Sequence, residues 1–97
     1  MVTVVVAPAL ARWLPETERD AGGVVSLQVQ AGNVQKALDA VFALHPRLRG
    51  YVVDEHGAVR HHVAVILDGE AIRDKRVPTQ PLCADSELYL MQALSGG

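Results

Sequence analysis

The chain of 97 residues has one cysteine, only four aromatic residues, and no apolar run long enough to cross a membrane. The single cysteine, Cys83, excludes an internal disulfide and cannot by itself hold an iron–sulfur cluster. The apolar stretch at residues 2–10 is interrupted by Pro8, far short of the roughly 20 residues that span a bilayer. No basic segment of the kind that opens a signal peptide precedes it. We therefore expect a soluble cytoplasmic protein without membrane contacts.

The chain also lacks an excess of charge of either sign. Eleven acidic and nine basic residues leave a net charge of −2. A nucleic-acid groove needs cationic side chains and aromatic stacking platforms, so this composition argues against a nucleic-acid partner. A chain this short builds one small core, which leaves little room for an active site made from several loops. We do not expect a self-sufficient enzyme.

The first half of the chain shows clear hydrophobic periodicity. Residues 1–7 are apolar on both faces and rich in valine, which predicts a strand inside a sheet, and residues 24–30 alternate as a half-buried strand does. The connection at 9–23 has room for one helical turn. Asn33 is a good N-cap, and an apolar stripe follows it at helical spacing through Leu44, until Pro46 ends the helix.

The second half predicts a surface excursion and two further strand regions. Residues 48–62 look irregular, with a short strand at 51–53. Residues 62–67 and 70–73 flank Asp68-Gly69, a pair that favours a β-hairpin, and residues 88–94 form the last strand. These elements predict an α+β fold: a mixed sheet of about five strands with one main helix across one face. We expect one domain over residues 1–97, with the first and last strands as parallel neighbours and a flexible tail at 95–97.

The chain contains no motif typical of a metal site or of a bound cofactor, and we expect neither. The histidines are His45, His56, His61 and His62. None has the spacing of a metal-ligand motif, and no glycine-rich phosphate loop is present. Cys83 is expected to serve as a small apolar residue. Trp13 is expected to cover the rim of the core, and the alternative is an exposed anchor for a partner protein.

The C-terminus is the most informative segment, because Ser95-Gly96-Gly97 directly follows an apolar strand. Two terminal glycines make a slender tail whose carboxylate can enter a narrow active site of another protein. A carboxylate is a poor electrophile, but adenylation by ATP supplies a leaving group and makes Gly97 reactive towards sulfur or nitrogen nucleophiles. The alternative interpretation is an unordered terminus without a function.

These residues resemble the ubiquitin-like β-grasp sulfur carriers, which include the small subunit of molybdopterin synthase and the thiazole-biosynthesis sulfur carrier. The resemblance covers the whole chain in element order, and it is most specific at residues 82–97, where a small polar turn, an apolar strand and Gly96-Gly97 follow one another. Residues 48–73 are similar to the longer members, which include the carrier that delivers sulfur to a cysteine synthase. Gln92-Ala93 stands where many molybdopterin synthase subunits have two prolines.

The resemblance implies that the chain is a carrier and not an enzyme. An E1-like enzyme would consume ATP to adenylate Gly97, and sulfur transfer would give a thiocarboxylate that donates sulfur to a biosynthetic enzyme. Gly97 and Gly96 would be the reactive end, and partners would contact Tyr89, Met91, Leu94 and Ser95. The alternatives are a molybdopterin synthase subunit, a ubiquitin-like modifier that forms isopeptide bonds through Gly97, and an interaction domain that does not use its tail.

Overall fold

The structure is a computed structural model that describes residues 1–92. The strands are β1 (Val2–Val6), β2 (Val25–Val29), β3 (Val63–Leu67), β4 (Glu70–Ala71) and β5 (Glu87–Gln92). The helices are α1 (Pro8–Ala11), α2 (Val34–Leu44) and α3 (Pro46–Val52), and a 3₁₀ helix covers Glu16–Glu18. Over the described range, none of the helices is long and apolar enough to cross a membrane.

All five strands belong to one mixed sheet in the order β2-β1-β5-β3-β4. β1 and β5 run parallel, with Val4 beside Leu88, and the other neighbouring strands are antiparallel. The predicted α+β fold is therefore confirmed, including the main helix across one face and the parallel pairing of the first and last strands. The connection at 9–23 contains α1 and the 3₁₀ helix, where one helical turn was predicted.

The core lies between one face of this sheet and the helices. Alternate residues of each long strand are buried, because successive side chains of a strand point to opposite faces. The sheet residues that face the core include Val4, Val6, Val25, Val65, Leu88 and Leu90. Fully burying one valine or leucine side chain is favourable by about 1.5–3 kcal/mol, so this face supplies much of the stability.

The main helix α2 begins as the sequence predicts. The side-chain oxygen of Asn33 accepts the amide of the third helical residue at 2.8 Å. The amides of Val34 and Gln35 donate to the carbonyls of Gln80 and Pro78 at 3.0 and 2.8 Å. All three amides would otherwise lack partners at a helix N-terminus. The segment that leads to β5 is therefore held against the start of α2.

The end of α2 differs from the prediction. Leu44 was expected in the apolar stripe that faces the sheet, but it is 60% exposed, and the buried stripe ends at Phe42. The chain turns at His45, which ends α2 and precedes α3.

The prediction of a short strand at 51–53 was wrong. Tyr51 and Val52 belong to α3, and Val53 makes only an isolated bridge to Val59. Pro46 ends one helix and also starts the next, since proline at the first helical position loses no hydrogen bond. Leu48 and Val52, four residues apart, place one apolar face of α3 in the core.

Cys83 also differs from the prediction, because it is exposed and does not pack as a small apolar residue. Trp13 behaves as predicted: it is half-buried and packs against the core. The predicted hairpin is confirmed, with Asp68 at φ 49° and Gly69 at φ 90° joining β3 to β4. Positive φ at both positions is what a type I′ turn requires.

Candidate functional site

The candidate site is β5 and the sheet surface around it. β5 is the middle strand of five, paired with β1 on one side and β3 on the other. Because β5 runs parallel to β1, its C-terminal end lies at the edge of the sheet where β1 leads into α1. The amide of Ala7 donates to the carbonyl of Leu90 at 2.9 Å, and α1 contacts β5. The strand that leads to the predicted reactive tail is therefore held on both edges.

The start of β5 is fixed by two side chains from turns. Ser86 is buried, and its hydroxyl oxygen accepts the amide of Cys83 at 2.9 Å, which closes the turn before the strand. The carboxylate of Asp68 accepts the amide of Glu87 at 2.8 Å, and the Asp68 amide donates to the Glu87 carbonyl at 3.0 Å. The β3-β4 turn thus sets the position of β5. Neither role was predicted from the sequence. The Asp68 bond joins residues 19 positions apart and depends on tertiary contacts, whereas the Ser86 bond closes a local turn across three positions.

The two faces of β5 have different surroundings. Leu88 and Leu90 are fully buried on the side that faces the helices. Tyr89 and Met91 are half-buried on the opposite face. The alternation predicted for these four side chains is therefore present in the structure.

Tyr89 and Met91 belong to a wider apolar surface that we call the open-face patch, formed by Val5, Ala64, Ile66, Tyr89 and Met91. Tyr89 lies between Val5 of β1 and Ile66 of β3, and Met91 lies beside Ala64. All five side chains are half-buried. The sequence pattern identified only the two β5 members, because the neighbours across the strands follow from the register.

Polar residues border the open-face patch away from the C-terminal end of β5. On β2, Ser26 and Gln28 are exposed, and the Gln28 amide group donates to the Thr3 hydroxyl oxygen at 2.8 Å. Glu87 is exposed at the start of β5. The apolar part of this face is thus concentrated towards the end of β5 from which the chain continues to residue 97. An apolar centre with a polar border is typical of a protein-binding surface.

The other predicted site residues are Leu94, Ser95, Gly96 and Gly97, and they lie outside the described residues. Within residues 1–92, no group of three or more His, Cys, Asp or Glu side chains is placed to hold a metal ion. His61 and His62 are exposed, with ring centroids 5.9 Å apart in an edge-to-face arrangement.

Two groups distant from β5 have shifted pKa values. The backbone amide of His56 donates to the Asp54 carboxylate and lowers its pKa most strongly; desolvation of the carboxylate opposes this shift, and the amide of Ala58 adds a weaker lowering, so that the net pKa lies below its ordinary value. Partial burial lowers the pKa of Lys75. Neither group lies in the open-face patch.

Comparisons with solved structures agree with this architecture. The chain is similar over 99% of its length to SAMP1 from Haloferax volcanii, with 27% identity, 98% of that chain covered and a TM-score of 0.71. It matches a chain of the Amycolatopsis orientalis BexX/CysO complex with 22% identity, both chains fully covered and a TM-score of 0.76. It also matches CysO from Mycobacterium tuberculosis, an antigen, with 14% identity, 97% and 100% coverage and a TM-score of 0.76.

No protein-family model and no curated protein sequence matches the chain. The fold is nevertheless a ubiquitin-like β-grasp, and the structural neighbours include a small archaeal modifier protein and two CysO proteins. The predicted resemblance to β-grasp carriers, including the longer kind, is therefore confirmed by the structures to which the chain is similar.

Proposed function

We propose that this chain is a cytoplasmic sulfur carrier whose reactive group is the carboxylate of Gly97. The observation that carries the proposal is the Ser95-Gly96-Gly97 sequence at the end of a chain with the fold of SAMP1 and CysO. The carrier binds no cofactor, and ATP is consumed by the E1-like enzyme that activates it.

The chemistry requires two balanced steps on the partner enzyme. The Gly97 carboxylate attacks the α-phosphorus of ATP, so that an acyl adenylate forms and pyrophosphate leaves. Hydrosulfide then attacks the acyl carbon, AMP leaves with its electron pair, and the carboxyl carbon carries sulfur in place of one oxygen. No oxidant or reductant is needed when sulfide is the sulfur source. A biosynthetic enzyme then accepts the sulfur for cysteine or another metabolite.

The described structure supports this role through β5. Hydrogen bonds to β1 and β3 hold the strand on both edges, so the position from which residues 93–97 continue is set by the sheet. We assign the open-face patch to the activating enzyme, with Leu94 and Ser95 as further contacts. A partner that covers the patch would bury apolar surface next to the tail it must bind.

Cysteine or related metabolite sulfuration is our first choice over a subunit of molybdopterin synthase. The chain has the long segment before β3, which forms α3 and the turn after it, and the match to the two CysO-containing structures spans nearly the entire chain. The BexX/CysO complex shows that a protein of this fold binds a partner, which is the behaviour proposed for this chain.

Intact mass spectrometry tests the proposal. The protein is incubated with the activating enzyme, ATP and sulfide, and the C-terminal peptide is expected to gain the mass difference of one oxygen replaced by sulfur. Deleting Gly97 should abolish the gain. Met91→Asp should reduce it, whereas Gln35→Asp, which adds the same charge on an exposed position of α2, should not. Absence of the gain, with the enzyme shown to be active on another carrier, contradicts the proposal.

A ubiquitin-like modifier is the second candidate, and the likeness to SAMP1, a small archaeal modifier protein, favours it. In that case the activated Gly97 acylates a lysine amine of a target protein, and AMP leaves. High-molecular-weight conjugates that disappear on deletion of Gly97 would support the modifier. An interaction domain of the same fold would keep all its binding properties without Gly96 and Gly97.

A further inference from the structure

A second surface with the composition of a binding site lies in the helix layer, around Trp13. An open cleft of about 390 Å³ is lined by Arg12, Trp13, Leu14, Pro15 and Arg47. We call it the arginine–tryptophan cleft. It lies on the helix side of the sheet, opposite the open-face patch, because Trp13 follows α1 and Arg47 lies on α3. Its composition is notable, since tryptophan and arginine are enriched at the energetic centres of protein interfaces.

The tryptophan is held in one orientation by its neighbours. The rings of Trp13 and Tyr51 stack with centroids 4.1 Å apart and planes 8° from parallel. The Arg12 guanidinium lies over the Trp13 ring, 5.1 Å from its centroid. The indole ring therefore packs against two neighbouring side chains.

The backbone that carries Trp13 is held in place by Arg19. Its guanidinium donates to the carbonyls of Ala11, Arg12 and Leu14 at 3.1, 2.9 and 2.9 Å. Three bonds from one side chain hold the turn after α1 in a single shape. A surface that is already ordered loses less conformational entropy when a ligand binds.

The charge of the cleft is positive and unmatched. Arg12 and Arg47 are exposed, and over residues 1–92 neither guanidinium has a hydrogen-bond or ion-pair partner. Among nearby acidic residues, Glu18 is bonded to His45 at 3.0 Å, and neither Glu16 nor Glu18 lines the cleft. Guanidinium groups bind carboxylates in a two-pronged geometry. The cleft thus combines two available carboxylate-binding groups with an apolar floor formed by Trp13, Leu14 and Pro15.

We propose that the arginine–tryptophan cleft binds an acidic segment of a partner protein, in which carboxylates contact Arg12 and Arg47 and an apolar side chain contacts the floor. Charge complementarity with Arg12 and Arg47 selects this occupant. The inference does not rest on the chemistry of Gly97. Because the cleft and the open-face patch lie on opposite sides of the sheet, an enzyme at the patch leaves the cleft accessible.

Peptide selection tests the proposal directly. A library of random heptapeptides displayed on phage is selected on the full-length protein. We expect enrichment of Asp and Glu beside an apolar residue. A selected peptide is then synthesised and titrated while the fluorescence of Trp13, the only tryptophan of the chain, is recorded. Since Trp13 lines the cleft, its emission should change on binding.

Matched double variants separate the cleft from general electrostatic attraction. Arg12→Gln with Arg47→Gln should weaken binding at least about tenfold, whereas Arg49→Gln with Arg76→Gln, which removes the same charge outside the cleft, should leave it unchanged. Thermal melting confirms that both variants fold. Deleting Gly96 and Gly97 should not alter peptide binding, so the result is independent of the proposed sulfur chemistry.

Four outcomes would overturn the proposal. The selected peptides could lack an acidic excess, or the cleft variant could bind as well as the control variant. A peptide with Asn and Gln in place of Asp and Glu could bind equally. Finally, inorganic phosphate at low millimolar concentration could abolish the response, which would make the cleft a site for small oxyanions and not for a peptide.

Discussion

Neighbouring residues of β5 should respond to substitution in opposite ways. Leu90 is fully buried under the helices, whereas Met91 is half-buried on the open face. Truncating a buried leucine to alanine removes its favourable burial and leaves a cavity, at a cost of about 2–5 kcal/mol. Because Leu90 has no exposed surface, we expect Leu90→Ala to cost about 3 kcal/mol. Met91→Ala should cost less than about 1 kcal/mol, since half of its surroundings are already solvent.

Urea denaturation followed by Trp13 fluorescence measures this difference, and thermal melting gives a second value. A loss of about 3 kcal/mol lowers the melting temperature of a domain this size by roughly 12–24 °C. Binding to the activating enzyme should depend on the other residue of the pair. At a temperature where Leu90→Ala and Met91→Asp are both folded, Met91→Asp should bind the enzyme at least about tenfold more weakly than wild type. Leu90→Ala should bind it nearly as well as wild type. Equal losses of stability would refute the assigned faces of β5. Unchanged binding by Met91→Asp would refute the docking role of the open-face patch.

Asn33→Ala should lower the free energy of unfolding by about 1 kcal/mol, measured by urea denaturation, because it removes the side-chain cap of α2; an unchanged value would show that the cap adds nothing. Gly69→Ala should destabilise by about 1–2 kcal/mol, since Gly69 has φ 90°, whereas Gly50→Ala within α3 should stabilise by up to about 1 kcal/mol, because nothing lies within 4 Å of an added Cβ. Equal effects of the two substitutions would contradict the turn geometry. The pKa of Asp54, followed by NMR through the His56 amide, should lie below the ordinary 3.8. Because the folded-state pKa is the lower one, the contribution of Asp54 to stability should be complete above the unfolded-state pKa and lost as the pH falls through the folded-state pKa. A pKa at or above 3.8 would contradict the two amide bonds.

Much of the fold follows from local patterns in the chain. The valine-rich β1, the alternating β2, the Asn33 cap and the Asp68-Gly69 turn each depend on contacts within a few residues, and each is present where predicted. Errors arose where distant contacts decide the outcome. Pro46 and Gly50 argue against a helix in the sequence, because both residue types disfavour helix interiors. The helix α3 nevertheless forms, stabilised by burial of Leu48 and Val52 in the core.

The candidate site likewise has one part that the sequence predicts and one part that only the strand pairing shows. Alternation alone assigned Tyr89 and Met91 to the face of β5 opposite the helices. The register across the strands added Val5, Ala64 and Ile66, because residues so distant in sequence become neighbours only when the strands pair.

By itself the sequence determined the order and type of most elements and the Gly96-Gly97 ending on which the proposed chemistry depends. It also determined which of the residues 88–91 are buried and which lie on the opposite face of β5. Only the tertiary structure decided that Asp68 holds the start of β5, that Trp13 stacks on Tyr51, and that Arg12 and Arg47 line one cleft with Trp13. The physical reason is the distance along the chain over which each interaction acts. Helical and turn preferences act over a few residues, whereas a binding surface is made of side chains that the folded backbone brings together from separate parts of the chain.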